Sequence, residues 1–340
     1  MNALVTGGGG FLGGAIVRML GARGDRVRSL SRQNYPALDI EQIRGDIADA
    51  ASVESACRGC DIVFHVAAKA GIAGRYADYH RANVVGTENV LAACRKHGVR
   101  RLVFTSSPSV VFDGRDMEGV DESVPYPAHY HAAYPKTKAH AERLVLAANG
   151  PDLATVALRP HLIWGPGDNH LVPRILARGK AGKLRKIGWR DTKIDSVYID
   201  NAASAHLLAG DHLGPSAPCA GRAYFISNGE PMPTWELVDR ILAAGGLPPV
   251  TRRVPLWVAV AGGWVLERWY ARFRPDVEPP MTPFLARELA TSHWFDLSAA
   301  RRDLGYVPLV SVAEGLERLK EEFSPRRKGA RQTHGENTGE

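Results

Sequence analysis

Residues 3–13, Ala-Leu-Val-Thr-Gly-Gly-Gly-Gly-Phe-Leu-Gly, join a short apolar run to an apolar helical pattern through four successive glycines. Residues 2–6 have the length and hydrophobicity of a buried strand, and Gly7 stops them. Phe11, Leu12, Ile16, Val17 and Leu20 then fall on one side of a helix over 11–21. Between strand and helix, Gly7, Gly10 and Gly13 give the spacing G-x-x-G-x-x-G. A dinucleotide demands such a loop. The turn must be tight, the backbone must come close to a pyrophosphate, and the helix must pack on the strand. The helix N-terminus offers free N–H groups and the positive end of its dipole. A glycine-rich turn with no ligand is the competing reading. The strand and helix on either side favour the phosphate loop.

Outward from this loop, apolar runs of strand length recur at 27–30, 62–67, 102–105 and 153–158, with helical patterns at 77–97 and 131–148. The alternation suits βαβ units and predicts an α/β fold with a doubly wound parallel sheet. After residue 160 the regularity falls, and Pro160, Gly165, Pro166 and Gly167 mark a loop. The 340 residues exceed what one core usually organises. We expect a nucleotide-binding core over 1–165, a smaller and mainly substrate-binding C-terminal domain over 166–323 with some segments returning to the core, and a disordered basic tail over 324–340.

Composition excludes several classes. With 45% hydrophobic and 23% charged residues the chain is neither disordered, fibrous nor a polytopic membrane protein. Cys57, Cys60, Cys94 and Cys219 provide no disulfide framework, and the CxxC at 57–60 has no second pair to complete a zinc site. They read as core cysteines. His129 and His131 lack a third ligand at a fitting spacing, so no metal is expected. The first strand begins at residue 2, which leaves no room for a signal peptide, and a cytoplasmic location is expected. The net charge of +7 is concentrated in places. Residues 178–193 carry seven cations against Asp191, and 325–340 carry four against two carboxylates. The first segment reads either as a solvated loop or as a surface that steers an anion. No recognition module accompanies the charge, so nucleic acid is not an expected partner. Residues 254–266 are the most apolar stretch and fall short of the ~20 residues that cross a bilayer. A packed helix of the small domain and the wall of an alkyl-chain channel are the main readings, and a membrane-surface contact is the least favoured.

The second strand ends in Ser31-Arg32, with no carboxylate to hold a ribose 2′-hydroxyl. Arg32 suits a 2′-phosphate through forked hydrogen bonds, which favours NADP(H) over NADH. The alternative is a solvated surface charge, and Arg28 shares the role if the strand is regular. Tyr134 and Lys138 are four apart on one helix face. A nearby ammonium favours the phenolate, so a tyrosine so placed exchanges protons with a carbonyl or alcohol oxygen. Ser107 follows the 102–105 strand, at whose carboxyl end ligands bind in such sheets, and can hydrogen-bond a substrate oxygen. A turn-forming serine is the other reading.

Together, Gly7/Gly10/Gly13, Gly45-Asp46-Ile47, Phe64-His-Val-Ala-Ala68, Asn83 with Gly86-Thr87, Ser107, Tyr134-x-x-x-Lys138, Leu158-Arg-Pro160 and Gly165-Pro-Gly167 resemble the extended short-chain dehydrogenases/reductases, a Rossmann-fold family. The likeness runs over 2–323 and is nearer the 3β-hydroxysteroid dehydrogenase branch than the sugar-nucleotide epimerases. It implies Tyr134 as proton donor, Lys138 as its electrostatic partner and a ribose ligand, and Ser107 as polariser of the carbonyl. It also implies that Phe11 and Leu12 complete the phosphate loop and that Asp46 and Ile47 sit at the adenine. Ala67, Ala68 and Pro160 would line the rest of the cofactor, and Asn83 would tie helix to strand. Trp164 departs from the usual tyrosine or phenylalanine before Gly-Pro-Gly, and either shapes the cavity or packs. Residues 157–173 and 224–231 resemble bacterial β-keto acid reductases of long-chain olefin formation. That likeness implies a small-molecule substrate, a long-chain 2-alkyl-3-oxo acid, together with a homodimer and association with other enzymes of that pathway. Steroid or sterol dehydrogenases would share every catalytic residue. The apolar 254–266 stretch sets a sugar nucleotide aside, and a non-catalytic dinucleotide sensor would not need the Ser/Tyr/Lys set.

Overall fold

Seven parallel strands form the central sheet: β1 (Asn2–Thr6), β2 (Arg26–Ser31), β3 (Glu41–Arg44), β4 (Ile62–His65), β5 (Arg101–Thr105), β6 (Ala154–Pro160) and β7 (Arg222–Ile226). Their order is β7-β6-β5-β4-β1-β2-β3. The computed structural model describes residues 1–71, 74–274 and 277–324, so the expected tail, apart from Ser324, lies outside the described residues. Inner strands are almost continuously apolar because helices cover both faces of the sheet. Leu4 faces one buried cluster with Leu30, Val63, Leu102 and Phe104, while Val5 faces another with Ile16, Phe64 and Val103. Cys57, Cys60 and Cys94 lie in the first of these. The order reverses between β1 and β4, and the site is built at the carboxyl ends of these two strands.

The structure revises some local readings. β4 ends at His65 rather than at 67, because the next two amides donate to a side chain and not to the ladder. The predicted 77–97 helix is a composite of an α turn (Tyr76–Tyr79), a π segment (His80–Val85) and an α-helix (Gly86–Lys96). β3 and β7 escape the apolar-run criterion, since β3 is polar and half-exposed and β7 opens on Arg222.

A smaller lobe is built on a four-stranded sheet in the order Met232–Pro233, Lys193–Ile194, His293–Phe295, Met117–Val120. β7 and the Ile199–His212 helix return to the first lobe, the helix packing on α-helix Phe11–Ala22. The 178–193 segment is structured rather than a solvated loop. Arg178 donates to the Pro280 carbonyl, Lys186 pairs with Asp239, Arg190 pairs with Asp116, and Lys186–Ile187 forms a short ladder with Arg253–Val254. The apolar stretch becomes the Leu256–Phe273 helix, and it is not a core helix. Only Ala259 and Gly263 are buried. A Cβ on Gly263 would come 2.7 Å from the Thr282 carbonyl carbon, so the helix sits down on its small residues and turns its large ones outward.

One buried ion pair joins the Ala133–Ala147 helix to the sheet. Arg159 on β6 donates Nε and Nη2 to the two oxygens of Glu142, at 3.0 and 2.7 Å, and the Tyr126 hydroxyl adds a 2.6 Å bond. Glu142 is wholly inaccessible. Removing one member leaves an uncompensated buried charge, which costs about 3–5 kcal/mol. Glu142→Ala should therefore lower unfolding free energy in urea by about that amount, whereas a loss below ~1 kcal/mol would mean the pair is solvated.

Candidate active site

The site begins at the Thr6 hydroxyl, on the last residue of β1. Thr6 Oγ1 accepts the amides of Val66 and Ala67 at 3.1 Å each and lies 2.8 Å from His65 Nδ1. On the other side of the ring, His65 Nε2 is 3.0 Å from Thr87 Oγ1, which donates to the Asn83 carbonyl at 2.7 Å. With its own hydrogen given to Asn83, the Thr87 hydroxyl must accept, so His65 carries its proton on Nε2 and accepts from Thr6 on Nδ1. Burial lowers the imidazole to about 3, with the Lys138 ammonium adding to the effect. This relay fixes the chain leaving β4 against the glycine loop. A Cβ on Gly7, at φ +72°, would come 3.1 Å from Ala67 Cα. A Cβ on Gly13 would come 2.1 Å from the Gly7 carbonyl oxygen, so no side chain fits there. The Gly10 and Gly14 amides close the loop onto Gly7 and Gly10 carbonyls. Phe11 and Leu12 open the helix, and its first-turn amides point along the helix axis toward the loop.

Asn83, on the π segment, holds the neighbouring pieces together. Its Oδ1 accepts the Lys69 amide at 2.8 Å, and its Nδ2 donates to the Lys69 carbonyl and to Thr137 Oγ1, both at 3.1 Å. Thr137 bonds back to the Ala133 and Tyr134 carbonyls. The tyrosine helix is thus pinned at its first turn by Asn83 and farther along by Arg159.

Ser107, Tyr134 and Lys138 come together beyond β5. Ser107 caps a 3-10 turn over Pro108–Val111, its hydroxyl accepting the Ser109 amide at 3.2 Å, and lies near Tyr134. Burial raises the phenol above its ordinary value, the nearby Ser107 hydroxyl opposes this, and the Glu288 carboxyl raises it further. Lys138 is buried, its Nζ donating to the Thr105 carbonyl at 2.6 Å and standing 4.0 Å from the Phe104 ring centroid. Burial lowers it to about 7, against the opposing pull of Glu142. The phenol is thus shifted up, not down as expected from the ammonium, with burial the leading cause. Behind Lys138, His206 receives the Thr105 hydroxyl at Nε2 (2.8 Å) and donates from Nδ1 to the Ala202 carbonyl.

At the other end, Ser31 and Arg32 close β2. Arg32 is exposed and has no hydrogen bond or ion pair among the described residues. Arg28 does not share its position, because it is committed to Glu41 and to the Ala56 and Arg58 carbonyls. Asp46 accepts the Ala48 amide and pairs with Arg81, and Ile47 packs where a Gly86 side chain would stand. Ala67, Ala68 and Pro160 lie at the carboxyl ends of β4 and β6. Trp164 is fully buried, donating to Ser196 Oγ, so it packs. Sequence reasoning missed four groups. Tyr35 lies over Gly9, fixed by Gln42 through its own amide and carbonyl. Arg81 lies on the π segment two residues before Asn83 and His65 closes β4, so a strand end was the available signal for His65 alone. Glu288, raised by burial to about 7, comes from the smaller lobe and belongs to no local pattern.

The model of the 3-beta hydroxysteroid dehydrogenase/isomerase family matches residues 4–256. A 2-alkyl-3-oxoalkanoate reductase of Stenotrophomonas maltophilia is 54% identical over 325 residues, covering 94% of this chain and 98% of that one. A second, from Shewanella oneidensis, is 49% identical over 330 residues, covering 94% of this chain and 85% of that one. Among solved structures, MoeE5 in complex with UDP-glucuronic acid and NAD is 25% identical with a TM-score of 0.73, over 96% of this chain and 100% of that one.

Four histidines with depressed pKa values set the response of stability to acid. Burial holds His65 and His293 at about 3, and His161 and His206 at about 4. Each has a folded pKa below the unfolded value of ~6.5, so its contribution is complete above that pH and is lost as pH falls. Glu288 and Asp195, raised to about 7 and about 6, act in the opposite sense over the upper part of this window. About two net protons remain, so the unfolding free energy should fall by roughly 3 kcal/mol per pH unit at its steepest between pH 6.5 and 4.5. Urea midpoints measured across that range check the slope, and a flat profile would mean that the rings titrate normally.

Proposed function

The chain belongs to the 3-beta hydroxysteroid dehydrogenase/isomerase family and is an oxidoreductase, and within that family we propose that it reduces the 3-keto group of a 2-alkyl-3-oxoalkanoate with NADPH, in bacterial long-chain olefin formation. The observation that carries this reading is the convergence of Ser107 and Tyr134, with Lys138 one helical turn on, at the carboxyl end of β5. The 49–54% identity to reductases of that name over 94% of the chain supports the substrate class.

The chain's own residues fit a dinucleotide. The cradle at Gly7 and Gly13 is one that a Cβ would fill. Gly7, Gly10, Phe11, Leu12 and Gly13 would hold the diphosphate through backbone amides at the helix start. Arg32, unpartnered among the described residues and next after β2, would pair with a 2′-phosphate beside Ser31. Asp46 and Ile47 would take the adenine, Ala67, Ala68 and Pro160 the inner half, and Lys138 the ribose. When bound, the nicotinamide supplies the hydride. The protein handles the proton. Burial keeps Tyr134 protonated at neutral pH, which is the state a donor to a carbonyl oxygen needs. Ser107 donates a hydrogen bond to the same oxygen as negative charge grows there. The Tyr134 O–H bond breaks as the alcohol O–H forms, and the Lys138 ammonium stabilises the phenolate left behind.

Tyr134→Phe removes the proton donor and should lower kcat about 10²–10⁴-fold in NADPH oxidation driven by a 2-alkyl-3-oxo acid, and an unchanged rate would overturn the assignment. Arg32→Ala should cost about 2 kcal/mol in kcat/KM with NADPH while leaving NADH turnover nearly level. An equal loss with both coenzymes would deny Arg32 the 2′-phosphate.

A further inference from the structure

The largest feature that the reductase reading leaves unused is the outer face of the Leu256–Phe273 helix. Trp257, Ala261, Trp264, Val265, Arg268 and Arg272 recur at helical spacing on that face. Trp257 is 73% exposed, Val265 58% and Trp264 53%, and Trp269 and Phe273 continue the apolar surface beside them. Exposure of this much aromatic and aliphatic area on one helix is unusual for a surface facing only water.

The charges on this face are of one sign. Residues 252–274 contain five arginines and a single carboxylate, Glu267, which is half-buried. The arginines stack on the aromatic rings. Arg268 lies 4.4 Å from the Trp264 centroid, Arg272 5.3 Å from Phe273 and Arg274 5.8 Å from Trp269. The ladder between Arg253–Val254 and Lys186–Ile187 brings Trp189, 71% exposed, to the same end with Arg253 over its ring. Tryptophans that bury an apolar body next to arginines that keep a cationic head in water suit the headgroup layer of a bilayer.

From this arrangement we infer that the Leu256–Phe273 helix docks the protein peripherally on an anionic lipid surface, its tryptophans entering the headgroup–acyl boundary and its arginines meeting lipid phosphates. A second copy of the chain fits the face poorly. A two-fold contact sets the same patch against itself, and these arginines would then meet arginines with one half-buried carboxylate to offset them. The docking is peripheral, since among the described residues no helix is long and apolar enough to cross a membrane. The surface also borders the site. Through Gly263 the helix lies on Thr282–Pro283, the start of the short helix whose last residue is Glu288. If the substrate is the two-chained acid proposed above, lipid and reaction centre are separated by one layer of helix. The docking inference itself does not rest on that reading.

Flotation of the full chain with vesicles, in the absence of substrate, tests it. The protein should float with phosphatidylcholine vesicles containing phosphatidylglycerol at low salt and float less with phosphatidylcholine alone. Trp257→Ser combined with Trp264→Ser should reduce the bound fraction about tenfold while leaving NADPH oxidation with a short, water-soluble 3-oxo acid unchanged. Arg268→Gln with Arg272→Gln should erase the preference for phosphatidylglycerol. Failure of the parent to float with anionic vesicles would overturn the proposal, as would equal flotation of parent and tryptophan variant. A parent that stays unbound, and whose oligomeric mass in light scattering falls on the tryptophan substitution, would assign the face to a second copy instead.

Discussion

The close approach of two loops at the end of the sheet, held by one hydroxyl, is the constraint on which the site depends. Thr6 accepts two amides from the segment after β4 and is itself oriented by His65, so the glycine loop and Ala67 meet with no room for a side chain between them. A buried hydroxyl in this position is valuable because each group it touches would otherwise be an unsatisfied polar group away from water. The relay continues through Thr87 to Asn83, and from Asn83 to the tyrosine helix. The glycine loop and the tyrosine helix are therefore positioned by one connected set of hydrogen bonds, not by two independent ones.

Much of this arrangement was legible in the sequence, for local reasons. β1, the glycine loop and the first helix are contiguous and have distinct periodicities. Tyr134 and Lys138 lie on one helix face by spacing alone, and Ser107 follows a strand end. What escaped was set by partners remote in sequence. Arg28 looked like a candidate phosphate ligand until Glu41 and two carbonyls were seen to occupy it. Glu288 reaches Tyr134 from the other lobe. The 254–266 stretch is apolar by any count, but hydrophobicity does not say whether a helix faces a core or the outside. Gly263 decided that, because it seats the helix by its thin edge.

The electrostatics of the site follow from the same packing. Burial drives Tyr134 toward its protonated form, and it drives Lys138 and His65 toward their neutral ones. The polar groups beneath the reacting end thus resist ionisation until a charged partner arrives. Glu142 accepts Arg159 Nε and Nη2, which anchors the tyrosine helix to the sheet.

The sheet's outermost strand has a consequence for how the molecule is made. The chain leaves the sheet after β6 at Pro160 and returns to it only at Arg222. On a ribosome, β6 emerges long before β7 and spends that interval as an open edge of seven buried residues. Parallel pairing across so long an excursion is slow, because loop closure precedes the contacts that reward it. The nascent chain therefore passes through a stage with an adhesive margin, in which chaperone capture or misassembly competes with completion of the sheet.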